Sequence, residues 1–554
     1  LIYTPPLVRL ILPAPTRIER LCLLCMVGIY FFLLQLMVSP HYLSPYDASL
    51  HWITSDSILR TQHLFGVNSQ LPVSPYFPGL EIVTNALATL GGLSIFQAGT
   101  LVIASARLLM VLALYLFYEQ VTLSSRMAGI AVMIYMTNPH FLFFDAIFSY
   151  ETLGLPIATF LFYILARYDA THHSRGYRWM LAAAWPVLAS LTITHHMTDY
   201  VLVGFLALWA IVSFLQRSGR RMRGMLAAFA LSGLLLAIAY AFLMPGNPVL
   251  HYLSSYYSTA FKELAHIATG NNTARQLFSS EGAAPSPPWD KLLMLGSVAL
   301  ATFGLPFGLI SLWKQYRHST LAVTLGILSL GYPLTQVFRF SNYGSEITDR
   351  SAAFLFLPVA YVLALFITHF WSARRLNRRA IALISCALSV MLLGGTLLEI
   401  GPAYSSLPGP YKVIADERSA EPIGISAAQW SLAHLGPDNR VATDRINQTL
   451  FATFGEQRIV TEQQDNVNVS PIFFSSQLDS QAFATLRAAG IRYLVVDLRL
   501  STTLPLLGYY YESDEPGAFH LARPISRAAL DKFSAAPQFN LLFDDGTILI
   551  YQVN

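Results

Sequence analysis

Runs of about twenty apolar residues recur along the first 400 positions of this chain and restrict it to one class of fold. A bilayer core about 30 Å thick takes about 20 residues of helix, and a helix satisfies its backbone hydrogen bonds within one segment, as hydrocarbon demands. About eleven such stretches can be marked, roughly 20–39, 97–119, 125–142, 150–167, 179–196, 198–216, 223–244, 291–313, 319–338, 351–371 and 378–400. Over all 554 residues only 12% are charged and the mean hydropathy is +0.49, so too little of the chain can face water for a soluble globular protein. No small-residue cleavage site follows the first run, which reads as a retained anchor. Cys22, Cys25 and Cys386 all fall within apolar runs, and neither a disulfide framework nor a thiolate metal site is indicated.

Short loops rich in Lys and Arg stay on the cytoplasmic side, and here the basic residues alternate along the chain. With a cytoplasmic N-terminus that side receives Arg9, Arg17 and Arg20; Arg126; Arg167, Arg175 and Arg178; Arg217, Arg220, Arg221 and Arg223; Lys314 and Arg317; and Arg374, Arg375, Arg378 and Arg379. The opposite side receives 40–96, 143–149, 245–290 and 339–350, and an odd number of spans puts everything after Gly401 there too. The expected fold is therefore a polytopic α-helical membrane module, 1–400, with outer loops 40–96 and 245–290, followed by an extracytoplasmic α/β domain, 401–554. In that domain AAQWSLAHLG reads as a helix ending at Gly436, RVATD and RIVTE as short strands, SQAFATLRAAG and IRYLVVDLRL as helix, glycine cap and buried strand, and TILIYQV as a closing strand. Within 245–290, HYLSSYYSTAFKELAHIA reads as an interfacial amphipathic helix and NNTARQLFSSEGAAPSPPW as a mobile tract. The net charge of +4 comes from short basic clusters, not from a stripe, which argues against nucleic acid as a partner.

The polar residues of interest concentrate in the outer loops. Val38 to Leu64 contains Asp47, His51 and Asp56 just after the first span. Asp47 precedes His51 by one helical turn, so both share a face, and a carboxylate near a helix N-terminus is held ionised and can act as a general base. The same spacing suits a helix cap beside an interfacial histidine. Asp145 and Glu151 lie in NPHFLFFDAIFSYETLGLP, where Asn138-Pro139 ends or kinks a helix; two acids there can orient an acceptor or hold a divalent cation. His195, His196 and Asp199 occupy TITHHMTDY, and adjacent histidines cannot share one helical face. Arg339 and Arg350 flank FSNYGSEITD, at the level where a guanidinium can bind a lipid phosphate or simply snorkel. Arg107 falls within a span, where an isolated charge costs roughly 2.5–3.5 kcal/mol, and needs a partner such as Asp145 or a phosphate. In the C-terminal part TDRINQ, VVDLRL and GYYYES suit carbohydrate recognition or an ordinary strand core. There is no nucleotide-binding glycine fingerprint, Walker loop or GxSxG elbow in the sequence.

After the first of these tracts comes SPYFPGLEIVTNALATLGGL, in which Pro75 and Pro78 bracket Tyr76 and Phe77 before a second amphipathic stretch. Two surface helices joined by a proline turn, the tract from Asp47 to His51 and the later FFDAIFSYE together resemble the GT-C superfamily of membrane glycosyltransferases. That superfamily includes the protein O-mannosyltransferases and the aminoarabinose transferases of lipid A. The resemblance covers the topology of about the first 400 residues. It implies transfer of a sugar from a polyprenyl-phosphate donor to a hydroxyl of a protein, lipid or glycan acceptor outside a bacterial or archaeal plasma membrane. On it Asp47 takes the catalytic-base position and Asp145 supplies a second acid to the same pocket. His51, Glu151, His195, His196, Arg107, Arg339 and Arg350 then serve substrate binding, and a divalent cation is compatible with the acids. Asp47 is followed by Ala48 where the O-mannosyltransferases have an Asp-Glu pair, and the WWDYG motif of oligosaccharyltransferases is absent. The competing classes are a lipid or polysaccharide transporter or flippase, and a membrane-anchored scaffold with a binding domain. The spans show no internal repeat, which disfavours the first, and outnumber what an anchor requires, which disfavours the second.

Overall fold

A computed structural model describes residues 2–38, 46–170, 178–270, 275, 277, 278, 287–371, 377–400 and 409–554. In chain order the first helices are α1 (Thr4–Ile11), α2 (Arg17–Val38), α3 (Tyr46–Thr61), α4 (Gly79–Gly91), α5 (Ile95–Thr122), α6 (Ser125–Tyr135) and α7 (Pro139–Leu142). They are followed by α8 (Tyr150–Ala170), α9 (Arg178–Thr192), α10 (His196–Leu215), α11 (Arg220–Leu243), α12 (Val249–Ala268) and α13 (Pro288–Tyr316). Then come α14 (Thr320–Ser329), α15 (Gly331–Thr335), α16 (Asn342–Phe370) and α17 (Arg378–Ile400). Arg175, Arg374, Arg375 and most of 271–286 lie outside the described residues. The chain divides into two compact units: Leu1–Met37, Tyr76–Leu277 and Pro287–Gly401 form the first, and Val38–Pro75, Phe278–Ser286 and Pro402–Asn554 the second.

The first unit is the helical bundle of an integral membrane protein. Among the described residues eight helices are long and apolar enough to cross a membrane, and a ninth span is available if Ser125–Tyr135 and Pro139–Ala146, bent by 87°, count as one. The sequence reading marked about eleven; the difference falls on α8, which has the length but carries Glu151 and Arg167 near its ends, and on α9, of which the 15 residues Arg178–Thr192 are described. Ser94 and Gln97 form a reciprocal capping box that starts α5. Inside the bundle tyrosine hydroxyls donate to backbone carbonyls: Tyr3 to Met133 at 2.8 Å, Tyr118 to Leu357 at 2.8 Å and Tyr135 to Ala353 at 2.9 Å. Each bond removes a polar group from hydrocarbon and fixes one helix against another. Helices α13 and α16 meet at Gly308, where a Cβ would overlap the Val362 carbonyl, so only glycine permits the approach.

The second unit holds a five-stranded sheet built from β1 (Arg440–Ala442), β2 (Arg458–Ile459), β3 (Tyr493–Asp497), β4 (Phe539–Asp544) and β5 (Ile548–Val553). The strand order is β2-β1-β3-β5-β4, with β2, β1 and β3 parallel and β5 and β4 antiparallel. Around it pack α18 (Pro422–Leu435), α19 (Arg445–Thr453), α20 (Ser480–Ala488) and α21 (Arg527–Ala535). Gly436 ends α18 at φ +75°, and Gly546 at φ +85° allows the turn that pairs β4 with β5. The strands read from RVATD, RIVTE, IRYLVVDLRL and TILIYQV correspond to β1, β2, β3 and β5. The edge strand β4 was missed, although its Asp545-Gly546 turn is a hairpin signal.

Three acids of this unit hold their protons unusually well. Burial and the neighbouring Asp497 push Asp444 up to about 6, and burial pushes Glu512 and Glu515 up to about 7. In an unfolded chain the same groups titrate near 4, so between pH 4 and 7 the folded unit binds more protons and its stability falls as pH rises. Thermal melting of the sheet-bearing unit in the full-length protein is therefore expected at higher temperature at pH 5.5 than at pH 7.5. Glu512→Gln with Glu515→Gln should flatten that dependence.

Candidate functional site

In the first unit the site begins with a broken helix. Pro139 cannot continue α6 because it lacks an N–H, and it holds Asn138 in an extended conformation at ψ 136°. The Asn138 side chain then caps α7 by accepting from the His140 N–H at 2.9 Å. The chain turns by 87°, passes through α7 and the 3₁₀ turn Phe144–Ala146, and enters α8 at Tyr150. This detour places His140, Asp145 and Glu151, all buried, so that one ligand atom from each lies within 4.8 Å of the others. Among the described residues no hydrogen-bond donor reaches either carboxylate oxygen of Asp145.

Cations surround this turn. Arg107, 2% exposed, donates to the Phe141 carbonyl, lies 4.0 Å from the Phe141 ring centroid and is the charge that faces Asp145. Its direct partner in the α7 turn is therefore the Phe141 carbonyl, where the sequence had pointed to Asp145 or a phosphate. Arg350, in the N-terminal third of α16, lies 5.9 Å from the ring of Phe144, which itself packs 4.9 Å from His140. Arg339 is further committed: it pairs with Asp349 at 2.7 Å and with Gln336 at 2.9 Å.

The histidine pair forms a second wall. His195 is extended at φ −152° and His196 opens α10, so both rings enter one buried aromatic cluster instead of diverging from a helix. Tyr150 stacks on His195 at 4.4 Å, Phe77 lies 4.9 Å from His196, and Thr198 bonds His195 Nδ1 at 2.7 Å. Gly79 makes this possible, because a Cβ there would strike the Thr194 backbone while its N–H donates to the Ile193 carbonyl. The same approach buries Glu81 in the first turn of α4. Below the histidine turn an apolar cavity of about 320 Å³ opens among α5, α8, α10 and α16, lined by Met110, Tyr135, Phe162, Thr198, Phe205 and Leu357.

Asp47 and His51 belong to the second unit, on α3. Asp47 is half-buried in the first helical turn, and His51, 2% exposed, meets Ser74 Oγ through Nδ1 at 3.2 Å. Sequence reasoning missed His140 and Glu81. The Asn138-Pro139 break preceding His140 was the available signal for the first, and the acid immediately behind Pro78-Gly79 for the second.

Where two buried charges compensate one another, as the facing of Arg107 and Asp145 leads us to expect, removing one costs about 3–5 kcal/mol. Arg107→Leu is therefore expected to lower the melting temperature of the purified protein markedly, and Arg107→Leu with Asp145→Leu to recover most of the loss. Equal melting of wild type and single variant would show that the two charges are not coupled.

No family model and no curated protein matches the chain. Solved structures do. The oligosaccharyltransferase of Archaeoglobus fulgidus in complex with Zn and sulfate superposes with a TM-score of 0.61 at 11% identity, covering 96% of this chain and 73% of that one. The same enzyme tethered to an acceptor peptide gives 0.57 at 10% identity over 87% and 69%. ArnT from Cupriavidus metallidurans bound to undecaprenyl phosphate gives 0.54 at 12% identity over 96% and 97%. The chain has the fold of the GT-C membrane glycosyltransferases.

Proposed function

We propose that this protein transfers a sugar from a polyprenyl-phosphate donor to an acceptor hydroxyl on the non-cytoplasmic side of the membrane. The observation that carries the reading is the buried group of His140, Asp145 and Glu151, with Arg107 and Arg350 beside it, in a bundle of GT-C fold. Buried acids with nearby cations are expensive in hydrocarbon and mark functional sites. Two of the similar solved structures contain undecaprenyl phosphate and Zn with sulfate, which supports a lipid phosphate and a cation as the chemistry to carry over.

In this reading the acceptor oxygen attacks the anomeric carbon, the bond from that carbon to the phosphate oxygen breaks, and the electron pair leaves with polyprenyl phosphate. Asp47 accepts the acceptor's proton; its position in the first turn of α3 favours the ionised carboxylate. Arg350, with Arg107 or Arg339, binds the charge that builds on the leaving phosphate. The cavity below the histidine turn takes the isoprene units next to the phosphate, and His195, His196 and His51 hydrogen-bond substrate. One imidazole and two carboxylates are a fitting ligand set for Zn²⁺ or Mn²⁺. His140, Asp145 and Glu151 would hold such an ion, which would supply positive charge against the phosphate.

The test is transfer from a panel of polyprenyl-phosphate sugars by the full-length protein in lipid nanodiscs. Asp47→Asn is expected to reduce transfer at least a thousandfold while undecaprenyl phosphate still binds. Full activity in Asp47→Asn sinks the assignment of the base. A chelator, or His140→Ala, should lower transfer at least tenfold, with recovery from chelation on adding Zn²⁺ or Mn²⁺; indifference to both removes the cation from the proposal.

A further inference from the structure

The helix that carries Asp47 and His51 is built into the C-terminal domain by its opposite face. Successive side chains of an α-helix are about 100° apart. Asp47, His51 and Thr54 therefore form one stripe of α3, and Trp52, Asp56 and Arg60, spaced by four, form another about 180° away. The second stripe is the one the domain holds. Trp52 meets the ring of Phe454 edge-on at 5.4 Å. Arg60 pairs with Glu456 at 2.9 Å and with Asp56 at 2.8 Å. Ile53 packs against the apolar core beneath the sheet, and α3 lies against α19. The first stripe is tied by its own loop: Ser74 Oγ bonds Thr54 at 2.8 Å and His51 Nδ1 at 3.2 Å. Asn68 also donates to the Leu50 carbonyl and to Thr54, both at 2.8 Å.

A helix of 16 residues with mixed polar composition does not hold its place alone in water. Its position comes from these two sets of contacts. One belongs to the loop that follows it, and the other to residues some 400 positions later in the chain. We propose that the C-terminal domain is the mount of the α3 helix, with Phe454 and Glu456 as positioning residues that act on Asp47 through Trp52 and Arg60. The inference deepens the transfer reading given above and rests on it for the role of Asp47. A displacement of about 1 Å at a reacting group can cost a hundredfold in rate, so a brace behind the helix controls turnover without touching substrate. The ion pair is partly exposed and contributes less than the aromatic contact.

The test combines hydrogen exchange and kinetics on the full-length protein in nanodiscs. In Phe454→Ala, amides of 46–61 should exchange at least tenfold faster while β3 and β5 keep their protection. The kcat for transfer should fall at least tenfold, with undecaprenyl phosphate binding within twofold of wild type, and Phe454→Tyr should restore both readouts. Glu456→Arg should lower kcat about threefold, and Arg60→Glu with Glu456→Arg should regain it. Unchanged exchange in 46–61 together with unchanged kcat overturns the proposal, as does a fall in kcat with no change in that exchange. If Phe454→Ala also deprotects β3 and β5, the charge-reversal variant and its swap decide the matter by the same criteria. A wild-type protein that transfers no sugar, yet whose 46–61 segment responds as described, overturns the transfer reading and leaves the mount standing.

Discussion

A charged group in a bundle that excludes water must find its counterpart within the protein, and Arg107 finds its hydrogen-bond partner in the Phe141 carbonyl, with Asp145 as the acid whose charge acts on it. Neither side chain is tolerable alone at such burial. Both placements depend on the α7 turn, because Phe141 supplies Arg107 with both a carbonyl and an aromatic face, and the 3₁₀ segment that follows presents Asp145. The turn in turn depends on Asn138-Pro139, where one residue caps and the next cannot donate. A two-residue break in an apolar run thus determines where a buried acid, a histidine and a cation come together. Tyr3, Tyr118 and Tyr135 obey the same rule in a neutral form, each hydroxyl donating to a backbone carbonyl of another helix.

Much of the fold was legible because its signals are local. Long apolar runs announce spans, glycines such as Gly436 mark helix ends, and the continuous apolar run of YLVVD reads as a strand buried on both faces. The count of spans was less legible, since hydropathy cannot tell a straight helix from one bent by 87° or from one cut short at Thr192. Strand β4 carries exposed side chains along an edge, and its pattern is diluted by a register irregularity between Leu541 and Phe543.

The candidate site was only partly readable for a different reason. Asp145, Glu151 and Arg107 stand out as charges in apolar surroundings, so composition alone exposes them. His140 does not, because a histidine after Pro139 looks like an ordinary turn residue until the chain is seen to fold back over it. The pair His195 and His196 was expected to split between two faces. It does not, because His195 lies outside the helix, in an extended conformation that a spacing argument has no means to detect. Glu81 is hidden by its company of leucine and isoleucine, and only the close approach at Gly79 buries it.

The composition of the second unit bears on how such a chain can be rearranged. Its core is not the C-terminal tail alone: Ile53 and Trp52, from a segment inserted between the first span and the rest of the bundle, complete it. A cut in the sequence near residue 401 therefore does not separate two modules. A tail transplanted to another bundle would arrive with one side of its core uncovered unless 46–75 travelled with it. Substitutions along Trp52, Asp56 and Arg60 are thereby bound to those at 454–456, whereas the stripe with Asp47 is bound to its own loop through Asn68 and Ser74. Divergence of this fold at the tail should then be matched, residue for residue, in a helix more than 350 positions earlier in the chain.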